Sequence, residues 1–152
     1  SEAVYEAFLG LPNEGKQFFH GHTYTGNPLA CAVSLASLEV FDKDDVLTHV
    51  NEISALLTTL LTDLKQEPWV RAVRQNGLMV GIDLCQPNGE DAHGQTGHQV
   101  SMAARPLGAI LRPLGNTIVL NPPLSIRADE TDTLVRIVRQ AAASILGSHL
   151  DR

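Results

Sequence analysis

Residues 20–28 have the sequence His20-Gly21-His22-Thr23-Tyr24-Thr25-Gly26-Asn27-Pro28, where a glycine-containing loop gives way to an apolar segment. Asn27 followed by Pro28 predicts a helix start, because an asparagine side chain caps free backbone amides and the fixed φ of proline suits the first helical position. Threonine hydroxyls beside the positive end of a helix form a suitable anion site, and phosphate is the usual guest. An ordinary capped turn is the alternative, and these residues alone favour it.

Apolar periodicity and helix breakers predict five helices, over residues 1–10, 28–41, 44–67, 100–107 and 129–146. The helix over 28–41 is apolar or small on all sides and is therefore expected to be largely buried. Asp44 or Asp45 should begin the next helix and Pro68 should end it. Asp129 should cap the last one. The core-facing stripe of the second long helix has spacings of three and four and comprises Val46, Val50, Ile53, Leu57, Leu60 and Leu64.

Alternating apolar residues predict four strands, over residues 69–75, 78–84, 109–112 and 117–120. Between the first two strands, Asn76-Gly77 is a typical hairpin turn. Helices and strands in this order predict an α+β fold, in which the helices pack on a small antiparallel or mixed sheet.

Composition excludes several classes of function. The chain of 152 residues has a net charge of −6, whereas sequence-independent nucleic-acid binding needs a basic face. No apolar run approaches the roughly 20 residues of a membrane-crossing helix, and the N-terminal residues do not resemble a signal peptide. Cys31 and Cys85 suit buried thiols in a reducing cytoplasm better than a disulfide. Metal binding is not expected, because the four candidate ligands lack ligand spacing and occupy two separate loops: His20, His22, His93 and His98.

The segment His-Thr-Tyr-Thr-Gly-Asn-Pro-Leu-Ala-Cys-Ala over residues 22–32 resembles the one that follows the catalytic lysine in class III pyridoxal-phosphate aminotransferases. Similarity continues in order over 73–81, 111–116 and 120–124, and Arg112-Pro113-Leu114-Gly115 favours the branch of biotin biosynthesis. The resemblance implies the C-terminal part of a fold-type I pyridoxal-phosphate-dependent transferase. Its expected divisions are a remnant of the large cofactor-binding domain, an inter-domain helix and the small C-terminal domain, over residues 1–27, 28–43 and 44–152.

The same resemblance implies roles for three residues. Thr23 would bind the phosphate of a cofactor held mainly by the neighbouring subunit of a homodimer. His22 lies beside it as a second cofactor contact, although a local turn-stabilising role is the alternative. Arg112 would bind a substrate carboxylate, for which a planar guanidinium fork is well suited. The alternative for Arg112 is a surface arginine paired with an acidic neighbour, which is also the interpretation given to Arg71, Arg74, Arg105 and Arg127.

For the full-length parent, the resemblance implies conversion of 8-amino-7-oxononanoate to 7,8-diaminononanoate, with S-adenosylmethionine as amino donor. Transamination requires a lysine that forms a Schiff base with pyridoxal phosphate. The lysines of this chain lie in polar contexts, so the Schiff-base lysine is expected upstream: they are Lys16, Lys43 and Lys65. The isolated chain is therefore expected neither to hold the cofactor nor to catalyse. Another class III ω-aminotransferase and a non-catalytic α+β interaction domain are the alternatives.

Overall fold

The computed structural model describes residues 1–147. The chain forms two compact units, Ser1–Glu39 and Val40–Arg152, each of which is described by itself. Within the described range the helices are α1 Glu2–Glu6, α2 Pro28–Lys43, α3 Val46–Leu64, α4 Thr96–Ala104 and α5 Ala128–Leu146. The strands are β1 Val70–Asn76, β2 Met79–Leu84, β3 Arg112–Leu114 and β4 Thr117–Leu120.

The second unit contains a four-stranded antiparallel sheet with the strand order β1-β2-β4-β3. Arg74 pairs with Gly81, Gly81 with Val119, and Val119 with Arg112, so these four residues form one row across the sheet. Side chains alternate between the two faces along a strand. Because the adjacent residues Ile82 and Ile118 are buried on one face, this row lies on the opposite face. We call it the open face; its residues include Arg74, Met79, Gly81, Asp83, Arg112, Leu114, Thr117 and Val119. The predicted α+β class is confirmed.

The core of the second unit lies on the other face of the sheet, and helices α3, α4 and α5 form it together with that face. Several core side chains are 2% exposed or less, among them Leu57, Leu61, Trp69, Ile82, Val100, Ile118 and Val138. Burying a leucine of this kind contributes about 1.5–3 kcal/mol. On α3 the predicted Ile53, Leu57 and Leu64 are buried and Leu60 is partly buried against the core, and Leu61 is a further buried residue of this stripe that the prediction missed.

Two predicted helix boundaries are wrong for local reasons. Asp129 does not cap α5; it lies in the first turn and pairs with the Arg127 guanidinium. The Glu130 carboxylate instead accepts a hydrogen bond of 2.9 Å from the backbone N–H of Arg127, as the acidic residue of a capping box does. Helix α3 ends at Leu64, before Pro68 is reached.

The predicted strand over 109–112 is also wrong, because β3 is displaced to Arg112–Leu114 and includes Pro113. Proline lacks a backbone donor and is tolerated in a strand at the edge of a sheet, which is where β3 lies. Helix α4 begins four residues earlier than predicted and continues into a 3-10 turn, Arg105–Leu107. The hairpin of β1 and β2 and the strand β4 match their predictions to within about one residue.

Helix α2 contradicts the prediction that it is buried: none of its residues is buried. Leu29 is 79% and Val33 69% exposed. Cys31 is likewise exposed, whereas Cys85 is buried as expected. Over residues 1–147, no helix combines the length and the apolar character that crossing a membrane requires.

Candidate functional site

Asn27 caps the N-terminus of α2. Its side-chain oxygen accepts hydrogen bonds from the backbone N–H groups of Leu29, at 3.0 Å, and Ala30, at 3.2 Å. Its carbonyl oxygen accepts the N–H of Cys31. The predicted N-cap is therefore confirmed, and these amides are not free to bind an anion.

Thr23 lies in the exposed turn before this cap. The neighbouring Thr25 hydroxyl donates to the carbonyl of His22, at 3.2 Å, and so stabilises the turn. Ring nitrogens Nε2 of His22 and His20 lie 2.7 Å apart, which engages one nitrogen of each ring. Among residues 1–147 the Thr23 hydroxyl has no hydrogen-bond partner. The Thr23 hydroxyl is therefore available to an external hydrogen-bond partner.

Arg112 begins β3 and projects from the open face, next to Val119 on β4. It is exposed, and within the described part of the chain no carboxylate or carbonyl contacts its guanidinium. Arg71 pairs with Asp91, Arg74 with Asp83 and Arg127 with Asp129, as the surface alternative predicts, whereas Arg105 has no ion-pair partner among residues 1–147. The Arg112 fork is thus available to an external carboxylate.

A network of hydrogen bonds joins Arg74, Asp83 and Thr117 on the open face. Both terminal nitrogens of Arg74 donate to the two oxygens of Asp83, one of them at 2.9 Å. The hydroxyl of Thr117 donates to Asp83 at 2.7 Å. These bonds hold the pKa of Asp83 below its ordinary value, first through Arg74 and then through Thr117. The carboxylate therefore stays ionised near neutral pH.

Two side chains fix the backbone on either side of Arg112. The hydroxyl of Ser101, which is 3% exposed, donates a hydrogen bond of 2.6 Å to the carbonyl of Leu111. At the β3–β4 turn, the Asn116 amide donates to the carbonyl of Ala92 at 2.6 Å and its oxygen accepts the N–H of Gly97 at 3.0 Å. Ser101 lies outside the β3–β4 hairpin, and so do Ala92 and Gly97, the partners of Asn116, so these bonds tie both ends of β3 to the part of the chain that precedes it.

The segment 121–123 lines a cleft of about 530 Å³ between the end of β4 and α5, and its walls include Ile110, Leu111, Asn121, Pro122, Leu134 and Ile137. Arg112 is not among the residues that line it. Strand alternation explains this separation, because Leu111 and Leu120 face the core whereas Arg112 faces the opposite side. A shallower groove of about 320 Å³ does lie in the open face, lined by Arg74, Met79, Gly81, Leu114, Thr117 and Val119.

Comparison with known proteins decides the family. The sequence profile described as aminotransferase class-III matches residues 2–142. The chain belongs to the class III aminotransferase family. Class III aminotransferases are pyridoxal-phosphate enzymes, so the predicted family and cofactor class are confirmed.

Class III relatives match nearly the whole chain. Adenosylmethionine-8-amino-7-oxononanoate aminotransferase of Nitratidesulfovibrio vulgaris is 42% identical over 95% of this chain and 28% of its own length. Its namesake in Geobacter sulfurreducens is 42% identical over 97% of this chain and 33% of its own. The crystal structure of the Methanocaldococcus jannaschii enzyme of that name superposes with a TM-score of 0.84 at 37% identity, over 95% of this chain and 34% of the other. The chain thus spans about a third of these class III relatives.

The sequence did not single out Asp83, Thr117 or Ser101, which the structure places in hydrogen bonds on the open face or next to Arg112. Strand alternation groups Asp83 with Met79 and Gly81 on one face, but the neighbour that completes the network comes from β4, 34 residues later. From the sequence, Ser101 could be noticed only as a polar residue on the apolar face of a predicted helix. Thr23 and Arg112 belong to different compact units.

Proposed function

We propose that the full-length protein containing this chain transfers an amino group to 8-amino-7-oxononanoate and forms 7,8-diaminononanoate. Pyridoxal phosphate is the cofactor and S-adenosylmethionine the amino donor. Support for the substrate comes from the names of the relatives, two of which are 42% identical to this chain. The protein is proposed to act in the cytoplasm as a homodimer.

One structural observation carries the substrate proposal: among the described residues the Arg112 guanidinium has no partner, whereas Arg71 and Arg74 on β1 are paired with carboxylates. Arg112 would bind the substrate carboxylate through two parallel hydrogen bonds. Val119, paired with it across β3 and β4, would contact the adjoining methylene groups. Arg112 therefore orients the substrate from the end remote from the reacting carbon.

The turn that contains Thr23 fits the phosphate of the cofactor. Its hydroxyl is free and exposed, and it would donate to a phosphate held mainly by the neighbouring subunit, with His22 beside it. When bound, pyridoxal phosphate supplies the carrier of the amino group and an electron sink. Thr23→Val is expected to weaken cofactor binding about tenfold, the value of one hydrogen bond to a charged group, and Thr23→Ser to retain it. Equal cofactor dissociation constants for both variants would refute this contact.

No lysine of this chain is proposed to react. Lys16 is already paired with Glu14, 2.9 Å away. Lys43 ends α2, and Lys65 is exposed next to the end of α3, so neither amine is desolvated. The reactive lysine is proposed to lie in another part of the full-length protein, and the isolated chain is proposed to be inactive.

The proposed activity is tested on the full-length protein with 8-amino-7-oxononanoate and S-adenosylmethionine, with the diamine product detected by mass spectrometry. Product is expected from the wild type and from Arg136→Gln, a control that removes an exposed arginine on α5. Turnover of an ω-amino acid with pyruvate but not of 8-amino-7-oxononanoate would establish another class III ω-aminotransferase. No transamination with either pair, despite a bound cofactor, would favour a non-catalytic interaction domain.

A further inference from the structure

A second arginine reaches over the open face from the opposite side. Arg74 and Arg112 stand at the two ends of the row that Gly81 and Val119 complete. Three strand spacings separate their Cα atoms, or about 14 Å. The Arg74 side chain leans toward Arg112 across β2, because a Cβ at position 81 would lie only 3.3 Å from its Nη2. Glycine at position 81 thus leaves room for a guanidinium above the strand.

Arg74 differs from Arg112 in its charge environment. Its guanidinium is paired with Asp83, which Thr117 also holds. Arg71, the other cation that acts on Asp83, is itself paired with Asp91. The open-face residues, all of which lie within the described range, therefore present one neutralised and one unpaired guanidinium.

We propose that Asp83 sets the carboxylate selectivity of the substrate site. By pairing with Arg74, it leaves Arg112 as the single cation on the open face that can receive a carboxylate, so that the site accepts monocarboxylates and disfavours dicarboxylates. A second substrate carboxylate near Arg74 would be repelled by the Asp83 carboxylate. It would also lose its hydration without gaining a hydrogen-bond partner. This inference rests on the proposed role of Arg112 in binding substrate.

Equilibrium binding tests the proposal on the cofactor-loaded full-length protein. Hexanoate and adipate, which differ by one carboxylate, are titrated calorimetrically into the wild type, Asp83→Asn, and Arg74→Gln combined with Asp83→Asn. Asp83→Asn removes the charge at nearly constant volume and is expected to shift the adipate-to-hexanoate affinity ratio at least about tenfold toward adipate. The double variant is expected to return to the wild-type ratio.

A matched control separates this effect from a general change in charge. Glu67→Gln removes a carboxylate from a different ion pair, with Arg139 at 3.2 Å, and is expected to leave the ratio unchanged. An unchanged ratio in Asp83→Asn would overturn the proposal, and so would an equal shift in the double variant, because Arg74 would then not be the receptor. If Asp83→Asn does not load cofactor, Asp83→Ser replaces it. Failure of both variants to load would assign Asp83 to folding alone.

The binding ratio does not depend on turnover. A wild-type protein that binds hexanoate but does not aminate 8-amino-7-oxononanoate would contradict the proposed function and leave the selectivity test intact. Loss of hexanoate binding in Arg112→Gln would show that the monocarboxylate occupies the intended position.

Discussion

The hydroxyl of Ser101 donates a hydrogen bond of 2.6 Å to the carbonyl oxygen of Leu111, the residue directly before Arg112. Leu111 lies outside the β ladder, so the buried serine satisfies a backbone acceptor that no strand partner reaches. Sequence order alone places Ser101 in a helix and Leu111 ten residues away. Their contact shows that α4 supports the backbone from which the candidate carboxylate-binding arginine projects.

Ser101→Ala is expected to destabilise the second unit by about 1–3 kcal/mol, because it leaves the Leu111 carbonyl buried without a donor. Urea unfolding of the chain measures the difference. Thr59→Ala is the control, since the exposed Thr59 hydroxyl makes a similar bond to the carbonyl of Ala55 within α3; its effect should stay within about 0.5 kcal/mol. Equal effects of the two substitutions would refute the anchoring role.

Gly97→Ala is expected to be more disruptive than an ordinary helix substitution. A Cβ at position 97 would lie 2.2 Å from the carbonyl oxygen of Gly115 and 3.2 Å from Cα of Asn116. Both atoms belong to the backbone of the β3–β4 turn, so the clash displaces the hairpin at a cost of about 1–3 kcal/mol. Gly147→Ala provides the contrast, because its added Cβ would make only an ordinary contact, 3.9 Å from Ala143. Similar unfolding midpoints for both variants would contradict this account.

Lowering the pH should weaken the open-face network by protonating the Asp83 carboxylate. Its pKa is lowered from the ordinary value of 3.8, chiefly by Arg74, so the carboxylate stabilises the fold at pH values above the unfolded pKa. That stabilisation is lost as the pH falls through the lower pKa of the folded state. The difference in unfolding free energy between the wild type and Asp83→Asn should therefore be constant above about pH 5 and shrink below the unfolded value. A difference independent of pH from 2 to 6 would exclude this linkage.

The chain by itself is expected to self-associate through α2, because leucine and valine side chains there face solvent. Leu29 and Val33 are one helical turn apart, so Leu29→Glu with Val33→Glu should reduce the associated fraction in sedimentation velocity. Leu47→Glu on α3 changes a leucine of comparable exposure, 65%, and should have little effect. Concentration-independent monomers of the wild type would rule out the association.

The sequence predicted local structure better than long-range pairing. The β1–β2 hairpin followed from alternation and the glycine of Asn76-Gly77, although Asn76 is the last paired residue of β1 and the turn consists of Gly77, at a φ of 57°, and Leu78. The prediction ended β3 before Pro113, because proline is tolerated only in a strand at the edge of a sheet. Only the complete strand order shows that β3 is such an edge strand. Helix α2 has the composition of a buried helix yet is exposed, since composition does not state which surface covers a helix.

The sequence motifs name individual candidate residues but not their arrangement. Arg112 and Thr23 stay predictions from those motifs, and their side chains are unpaired within the described range. The grouping of Arg74, Asp83 and Thr117 depends on the pairing of β2 with β4, which no local pattern specifies.

The most direct test of the central claim compares wild-type and Arg112→Gln full-length protein on 8-amino-7-oxononanoate and on its primary amide, which lacks the carboxylate. Loss of a bidentate, charge-assisted contact should lower kcat/KM for the acid about 10–100-fold, while cofactor content and kcat/KM for the amide change little. The account is contradicted if Arg112→Gln lowers kcat/KM for the acid and the amide equally, or lowers neither.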